Sequence, residues 1–274
     1  DVPNGVAVDV NGDIYIAGRT EGTFAGNTNS GKRDIFILKC NASGVTQWVR
    51  QVGSEMDDEA TSIAVDRSGN VYVTGVTEGQ FESTKLSEFT DVFVLKYNTK
   101  GEKQWSLQDG TERSDVAKSI AVDVAGNVYI AGESKFDSEG YKNAGETDLL
   151  VIKYNARGMK QWTKKLGTSR EDNVGGIALD SQGNAYVTGY TGGRFDGTKS
   201  GRIQIFIIKY SPAGVKKWIQ RDHTKERDRA NAITIDSKDN LYITGSTEGN
   251  FGSNKNAGGN DIFVLKYKLR GGKH

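Results

Sequence analysis

Five aspartates recur along the chain and are the residues best suited to bind a metal ion. Each lies eight residues before a second aspartate that ends a strand-like run; the five are Asp1, Asp58, Asp115, Asp172 and Asp228. Calcium takes about six to eight oxygen ligands, so carboxylates that converge on one channel could hold it. Alternatively, each carboxylate could accept backbone N–H groups in its own loop. We favour capping because a cation site needs several ligands at one point. The sequence therefore predicts no cofactor, with calcium as the alternative and Asp58, Asp115, Asp172 and Asp228 as its candidate ligands.

Three glutamates form a second candidate set. Glu21, Glu78 and Glu248 each stand in the triplet Thr-Glu-Gly, at the start of a long polar stretch. They could form a row of similar polar subsites for a ligand, and Tyr141 adds an aromatic side chain to another such stretch. Alternatively, Thr and Gly begin a turn, and a following phenylalanine packs the stretch down. These phenylalanines are Phe24, Phe81, Phe195 and Phe251.

Catalytic chemistry has little support in the sequence. The only histidines are His223 and His274, and no Ser/His/Asp or Cys/His arrangement can be assembled from them. Glycoside hydrolysis needs two carboxylates in different environments, whereas near-identical copies give each carboxylate nearly the same one. The sequence therefore predicts that the protein is not an enzyme, with glycoside processing the least favoured function.

The candidate residues recur because the whole chain is a repeat. Glycines 18, 75, 132, 189 and 245 close similar runs at spacings of 57, 57, 57 and 56 residues. Tryptophans 48, 105, 162 and 218 keep the same period. We predict one domain over residues 1–274, made of five units of about 57 residues. Their approximate bounds are 1–53, 54–110, 111–167, 168–223 and 224–274.

The second copy shows what each unit contains. Ser62 to Asp66 and Asn70 to Gly75 are short runs rich in β-branched and aromatic residues, which favour strands. A hairpin turn joins them, with Gly69 supplying a positive φ. Asp91 to Asn98 is a third strand, and a fourth starts at Trp105. The unit is therefore four antiparallel strands with one long loop after the second, which is typical of a β-propeller blade. The long loops cover residues 19–33, 76–90, 133–147, 190–203 and 246–260.

Composition excludes some classes of partner. The 36 lysines and arginines nearly balance the 35 aspartates and glutamates, so there is no basic excess to bind nucleic acid. The longest aliphatic or aromatic runs have four residues, far short of the roughly 20 that a membrane span needs. The sequence predicts neither a nucleic-acid partner nor a membrane span.

The pattern SIAVDxxGNVYVTGxTxGxF…DxFVxKYNxxGxxxW resembles the bacterial SBBP β-propeller repeat, and its core resembles NHL repeats. The resemblance covers nearly the whole chain and implies β-propeller blades. The family name refers to seven blades, whereas the five copies in this chain predict an all-β, five-bladed β-propeller of four-stranded antiparallel blades. The resemblance also implies a bacterial protein that is extracellular or at the cell surface. The fifth copy stops just before its tryptophan. We expect either that the last blade lacks its outer strand and exposes a sheet edge, which invites self-association, or that the natural protein continues past His274.

Loops on a rigid scaffold are where binding usually occurs. The sequence therefore predicts a non-enzymatic binding or scaffold propeller, secreted or at a bacterial surface, with a protein partner. The alternative is a lectin that binds carbohydrate with Glu21, Glu78, Glu248 and Tyr141.

Overall fold

The computed structural model describes residues 1–81, 89–135, 145–195 and 202–269, and these form nineteen β-strands. Each sheet is built from consecutive strands in chain order. The first sheet contains β1 (Val2–Val8), β2 (Ile14–Thr20), β3 (Asp34–Cys40) and β4 (Thr46–Val52). The second contains β5 (Asp58–Val65), β6 (Val71–Thr77), β7 (Asp91–Tyr97) and β8 (Lys103–Asp109). The third contains β9 (Asp115–Val122), β10 (Val128–Ser134), β11 (Asp148–Tyr154) and β12 (Lys160–Leu166). The fourth contains β13 (Asp172–Leu179), β14 (Ala185–Thr191), β15 (Gln204–Tyr210) and β16 (Lys216–Asp222). The fifth contains β17 (Asp228–Ile235), β18 (Asn240–Thr247) and β19 (Asp261–Lys268).

These sheets confirm the predicted fold class. Four sheets have four strands, and the fifth has three within the described residues. Neighbouring strands pair antiparallel, as in β5 with β6 and β6 with β7, which is the order of a β-propeller blade. The arrangement of all five blades in a single domain stays a prediction. No helix in the part of the chain that the structure describes is long and apolar enough to cross a membrane.

The inner strands begin earlier than the sequence pattern predicted. In the second blade the strand starts at Asp58 rather than Ser62, and its register with β6 shifts between Ala60 and Ser62. A β-bulge of this kind places an extra residue in one strand and interrupts the period-2 alternation. The pattern therefore concealed the first half of the strand, and Asp58 is its first residue rather than part of a loop.

The short hairpins form as predicted. The Asp66 Oδ1 atom accepts the backbone N–H groups of Ser68 and Asn70, both at 2.9 Å. Gly69 has a φ of +76°, a conformation that side chains with a Cβ rarely adopt. The Oδ2 atom accepts the Tyr72 hydroxyl at 3.1 Å, so one carboxylate fixes both the turn and the following strand.

The glycine that closes each second strand has a steric role. A Cβ on Gly75 would lie 1.9 Å from the Glu59 carbonyl oxygen, on the bulged inner strand. A Cβ on Gly189 would meet Asn173 O at 1.9 Å and the Phe206 ring at 2.7 Å. The repeat therefore keeps glycine at this position because the bulge and a neighbouring aromatic ring occupy the space.

The chain divides into two compact units, one mainly of Asp1–Ile130 and one mainly of the residues from Trp162 onward. In the first unit, one core cluster joins Ile35 and Ile37 of the first blade to Ile63 and Val73 of the second. In the second unit, a cluster joins blades four and five, and its buried members include Ile205, Ile207, Leu241 and Ile243. Within each unit, the core therefore lies between successive blades.

Candidate functional site

The Thr-Glu-Gly triplet forms a fixed turn from which the glutamate projects. In the second blade, Thr77 Oγ1 accepts the Gly79 N–H at 3.2 Å, and the Glu78 N–H donates to Asp57 O at 2.9 Å. A Cβ on Gly79 would lie 2.1 Å from Ser54 Oγ, so glycine is needed for this close contact. Thr77 and Gly79 therefore have structural roles, while Glu78 is exposed.

The phenylalanine that follows the triplet holds the loop against its own blade. Phe81 is buried and its ring stacks on Phe93 with centroids 5.4 Å apart. Its N–H donates to Gln108 Oε1 at 2.8 Å. Similar ring pairs join Phe24 to Phe36, Phe195 to Phe206 and Phe251 to Phe263. The interpretation that Thr and Gly form a turn and the phenylalanine anchors it thus accounts for every residue of the motif except the glutamate side chain.

The three candidate glutamates have different surroundings. The Glu21 side chain is 81% exposed, and its Oε1 lies 4.0 Å from Arg33 Nε. Arg33 Nε also lies 3.3 Å from Asp57 Oδ1, so an arginine stands between two acids on this side of the first unit. In the second unit, Glu248 is half-buried and its N–H donates to Arg227 O at 2.9 Å. The fourth candidate, Tyr141, lies outside the described residues.

The recurring aspartates cap the loop that leads into each inner strand. Asp58 is buried, and its Oδ2 accepts both the Ser54 N–H and the Ser54 hydroxyl, the latter at 2.8 Å. Asp115, Asp172 and Asp228 accept the equivalent bonds from Thr111, Thr168 and Thr224. These bonds satisfy backbone donors in the same loop. Within the described ranges, no group of three or more His, Cys, Asp or Glu residues is placed to hold a metal ion.

A second acid beside the capping aspartates Asp58 and Asp172 was missed by the sequence reasoning. Asp34, at the start of β3, is buried. A Cβ added to Gly53 would lie 2.3 Å from Asp34 Oδ1 and 3.0 Å from Asp58 Oδ2, so both carboxylates border the same glycine. Burial, and then the charge of Asp34, raises the pKa of Asp58. In the second unit, burial and the charge of Asp148 raise the pKa of Asp172 to about 6. The recurrence of the acid at positions 34, 91 and 148 was visible, but only the tertiary structure brings it beside the next blade's aspartate.

The third-strand lysines pack on the tyrosine of their own blade. The Nζ atom of Lys96 lies 5.0 Å from the Tyr72 ring centre, and Lys209 lies 4.9 Å from that of Tyr186. These residues are direct cross-strand partners, because Tyr72 pairs with Lys96 and Tyr186 with Lys209. The contact is a cation–π interaction that supports the sheet, so these lysines are structural.

A cavity of about 550 Å³ lies in the second unit, lined in part by Tyr186, Trp218, Gln220 and Tyr267. In the first unit, the equivalent indole of Trp48 is covered by the next blade, where a Cβ on Gly101 would be 2.8 Å from the Trp48 ring. The corresponding turn of the fifth blade lies beyond Leu269, outside the described residues. We therefore do not assign a ligand to this cavity.

Comparison with known families agrees with the blade architecture. The SBBP β-propeller repeat model matches residues 47–82, 104–138, 161–196 and 226–252. Each match runs from or near an outer strand, through the first two strands of the next blade, to the start of its long loop. Four stretches of the chain thus match the SBBP β-propeller repeat that the sequence pattern indicated.

Two curated relatives share part of their length with this chain. One is the regulatory protein FlaEY of Caulobacter vibrioides, which is 27% identical over 190 residues, covering 62% of this chain and 20% of the relative. The other is an uncharacterized WD repeat-containing protein, L264, of Acanthamoeba polyphaga mimivirus, which is 28% identical over 223 residues, covering 63% of this chain and 16% of that protein. The chain therefore spans about a fifth or less of the curated relatives it matches.

Solved structures support the fold alone. A protein of unknown function from Bacteroides caccae aligns with a TM-score of 0.53 at 13% identity, over 88% of this chain and 69% of that one. A PL25 ulvan lyase aligns with a TM-score of 0.52 at 12% identity, over 98% of this chain and 72% of that one. At these identities the likeness concerns the backbone and carries no conclusion about activity.

Proposed function

We propose that this chain is a non-enzymatic protein-interaction module, secreted or at a bacterial cell surface, whose partner binds the long-loop side of the blades. The observation that carries the proposal is the Thr-Glu-Gly turn. Its threonine and glycine are fixed by contacts within the blade, whereas Glu21 and Glu78 are exposed. Exposed side chains on loops that a rigid sheet holds are well placed to recognise a partner.

The relatives favour interaction over catalysis. One carries the name of a regulatory protein, and the other that of a WD repeat-containing protein. The carboxylates inside the blades support the same view, because Asp58 and Asp66 accept hydrogen bonds from their own loops.

The negative charge on the long-loop side of the first unit favours a partner that carries positive charge. Glu21, Asp57 and Glu78 lie on neighbouring loops and Arg33 lies between two of them. A basic protein segment would fit the exposed acids, because opposite charges steer association. Such binding would weaken as ionic strength rises, since salt screens exposed charges.

A binding experiment with two matched triple variants tests the proposal. The first variant replaces Glu21, Glu78 and Glu248 with Gln, and the second replaces Asp9, Asp66 and Asp236 with Asn. Proteins captured by the wild-type chain should be lost with the glutamate variant and kept with the aspartate variant. A parallel glycan array covers the lectin alternative: glycan binding that depends on the three glutamates, without any protein partner, would replace the proposed function.

A further inference from the structure

The segment that leads into an inner strand carries opposite charges in the two units. We call residues 53–59 the entry segment of the second blade and residues 223–229 the entry segment of the fifth. The two align on their capping aspartates, Asp58 and Asp228. Three acids of the first are replaced by three bases at the same positions of the second: Glu55 by Lys225, Asp57 by Arg227 and Glu59 by Arg229. The near balance of charge over the whole chain therefore hides a local reversal of sign.

In the first unit, arginines of the preceding blade pair with two of these acids. Arg19 Nη1 lies 2.9 Å from Glu59 Oε2, and Arg33 Nε lies 3.3 Å from Asp57 Oδ1. In the second unit, neutral residues occupy the positions of those two arginines. They are Tyr190 and Ile203. The fifth blade therefore carries bases in its entry segment without acids at the two positions that pair with this segment in the first unit.

Contacts within the second unit hold two of these bases in place. The Arg229 Cζ atom lies 5.6 Å from the centre of the Tyr190 ring, which is a cation–π contact. The backbone carbonyl of Arg227 accepts the Glu248 N–H at 2.9 Å, so its backbone is fixed while the residue stays exposed. Lys225 is exposed as well. The fold therefore presents this positive charge on a segment that is bonded to the neighbouring strands.

The acids of the fifth blade's entry segment are engaged in other contacts. Glu226 Oε1 lies 3.4 Å from Arg202 Nη1. Asp228 is buried and accepts both the N–H and the hydroxyl of Thr224. Neither carboxylate is bonded to the exposed bases, so the charge that the segment offers to a partner is positive.

The backbone of the segment argues against a compact anion such as phosphate. Phosphate sites are usually lined by several backbone N–H groups. Here the Thr224 N–H donates to Asp228, and the Glu226 N–H donates to Thr224 Oγ1 at 3.1 Å. An anion would therefore meet side chains. Residues two apart in an extended strand lie about 7 Å apart on one side, so Arg227 and Arg229 match the side-chain spacing of an extended acidic segment.

We propose that the entry segment of the fifth blade binds an acidic segment of a protein partner through Lys225, Arg227 and Arg229. The guanidinium group of arginine binds a carboxylate through two parallel N–H donors, which gives the contact direction as well as charge. Opposite charges steer the association, and salt weakens it. The site uses neither Glu21 nor Glu78, so it is independent of the site proposed above for a basic segment.

The fluorescence anisotropy of a labelled oligo-glutamate peptide tests this site. Wild type should bind the peptide at low ionic strength and release it as salt is added. The variant Lys225→Glu/Arg227→Asp installs the charges of the second blade's entry segment and should lose affinity on the order of tenfold. The matched control is Lys216→Glu/Lys217→Asp, which makes the same charge change on two exposed lysines at the opposite end of β16 and should bind like wild type.

Both variants should unfold thermally like wild type, because all four residues are exposed. Absence of peptide binding by wild type, or an equal loss in both variants, would overturn the proposal. Displacement of the peptide by inorganic phosphate at matched ionic strength would also overturn it and would indicate a compact-anion site.

The two proposed sites can be separated in the same experiments. The triple variant of Glu21, Glu78 and Glu248 should keep the oligo-glutamate peptide, because the bases of the fifth blade are unchanged. Lys225→Glu/Arg227→Asp should still capture the basic partner. Loss of the peptide in the glutamate variant would overturn the assignment to the fifth blade's entry segment without touching the proposed function.

Discussion

The indole N–H of Trp105 donates a hydrogen bond to the backbone carbonyl of Ala156 in the next blade, at 3.2 Å. Trp48 bonds to Thr99 O at 3.1 Å in the same way within the first unit. Trp162 bonds to Pro212 O at 3.1 Å within the second. The periodic tryptophan of the sequence is therefore a link from the outer strand of one blade to the third hairpin of the following blade.

Replacing this tryptophan should destabilise the protein. The Trp105 ring is half-buried rather than fully enclosed, so Trp105→Ala should cost about 3 kcal/mol, at the lower end of values for buried aromatic residues. Trp105→Phe keeps a ring but removes the N–H donor and should cost about 1 kcal/mol. Urea unfolding of the two variants measures both. Equal unfolding midpoints for Trp105→Ala and wild type would contradict the structural role.

Gly75→Ala should be more damaging than an alanine at most other glycines. Its Cβ would lie 1.9 Å from a backbone oxygen that cannot move without breaking the bulge. Forcing atoms into a packed site costs about 1–3 kcal/mol, and more when backbone is displaced. Gly22→Ala is the matched control, because the nearest atom to its Cβ would be 3.7 Å away. Thermal unfolding should separate the two variants, and equal melting temperatures would refute the steric argument.

Two aspartates should affect stability in opposite pH ranges. The pKa of Asp172 is raised to about 6 in the folded protein, by burial and by Asp148. Its stabilising contribution is complete below the unfolded pKa, near 3.8, and is lost as pH rises through 6. The loss is on the order of 3 kcal/mol. Asp172→Asn has no proton to lose, so its melting temperature should rise relative to wild type between pH 4 and 6.

Asp236 provides the contrasting case. Hydrogen bonds from Asn240, first from its side chain and then from its backbone, lower the pKa of Asp236 to about 2. Its contribution is present above the unfolded pKa and is lost as pH falls from about 4 to 2. Asp236→Asn should therefore be less stable than wild type at neutral pH and equal to it near pH 2. A pH-independent difference for both variants would show that neither carboxylate is perturbed as described.

The hairpin aspartates should govern stability without governing binding. In Asp66→Asn the new Nδ2 group would stand where Oδ2 accepts from Asn70 and Tyr72, leaving donors facing each other. Asp66→Asn should therefore cost about 1–3 kcal/mol. The triple variant of Asp9, Asp66 and Asp236 should melt earlier yet keep its partner. The glutamate triple variant should have the melting temperature of wild type and lose its partner. If instead the aspartate variant lost the partner and the glutamate variant kept it, the binding site would lie on the side of the blades that carries the short hairpin turns.

Much of the fold could be predicted from the sequence because its determinants are local. A hairpin such as Asp66–Asn70 depends on one carboxylate and one glycine within five residues. The alternation within each strand is likewise a pattern of neighbouring residues, and the 57-residue repeat copies that pattern along the chain. The one local failure was the start of the inner strand, where the bulge after Ala60 breaks the alternation on which strand prediction depends.

The candidate site was less predictable because its contacts join distant parts of the chain. The sequence placed Asp58 in a loop and paired it with nothing, whereas the fold buries it beside Asp34, from the preceding blade.

Packing between blades also decides which copies of one motif are exposed. Ile262 and Val264 occupy the same positions of the repeat as Ile205 and Ile207. The first pair is exposed, whereas the second pair is buried against the following blade. The sequence by itself determined the blade, since a blade is held by hydrogen bonds between adjacent strands. Only the tertiary structure decided which faces are covered, because burial depends on the neighbour that a face meets and not on the residues it carries.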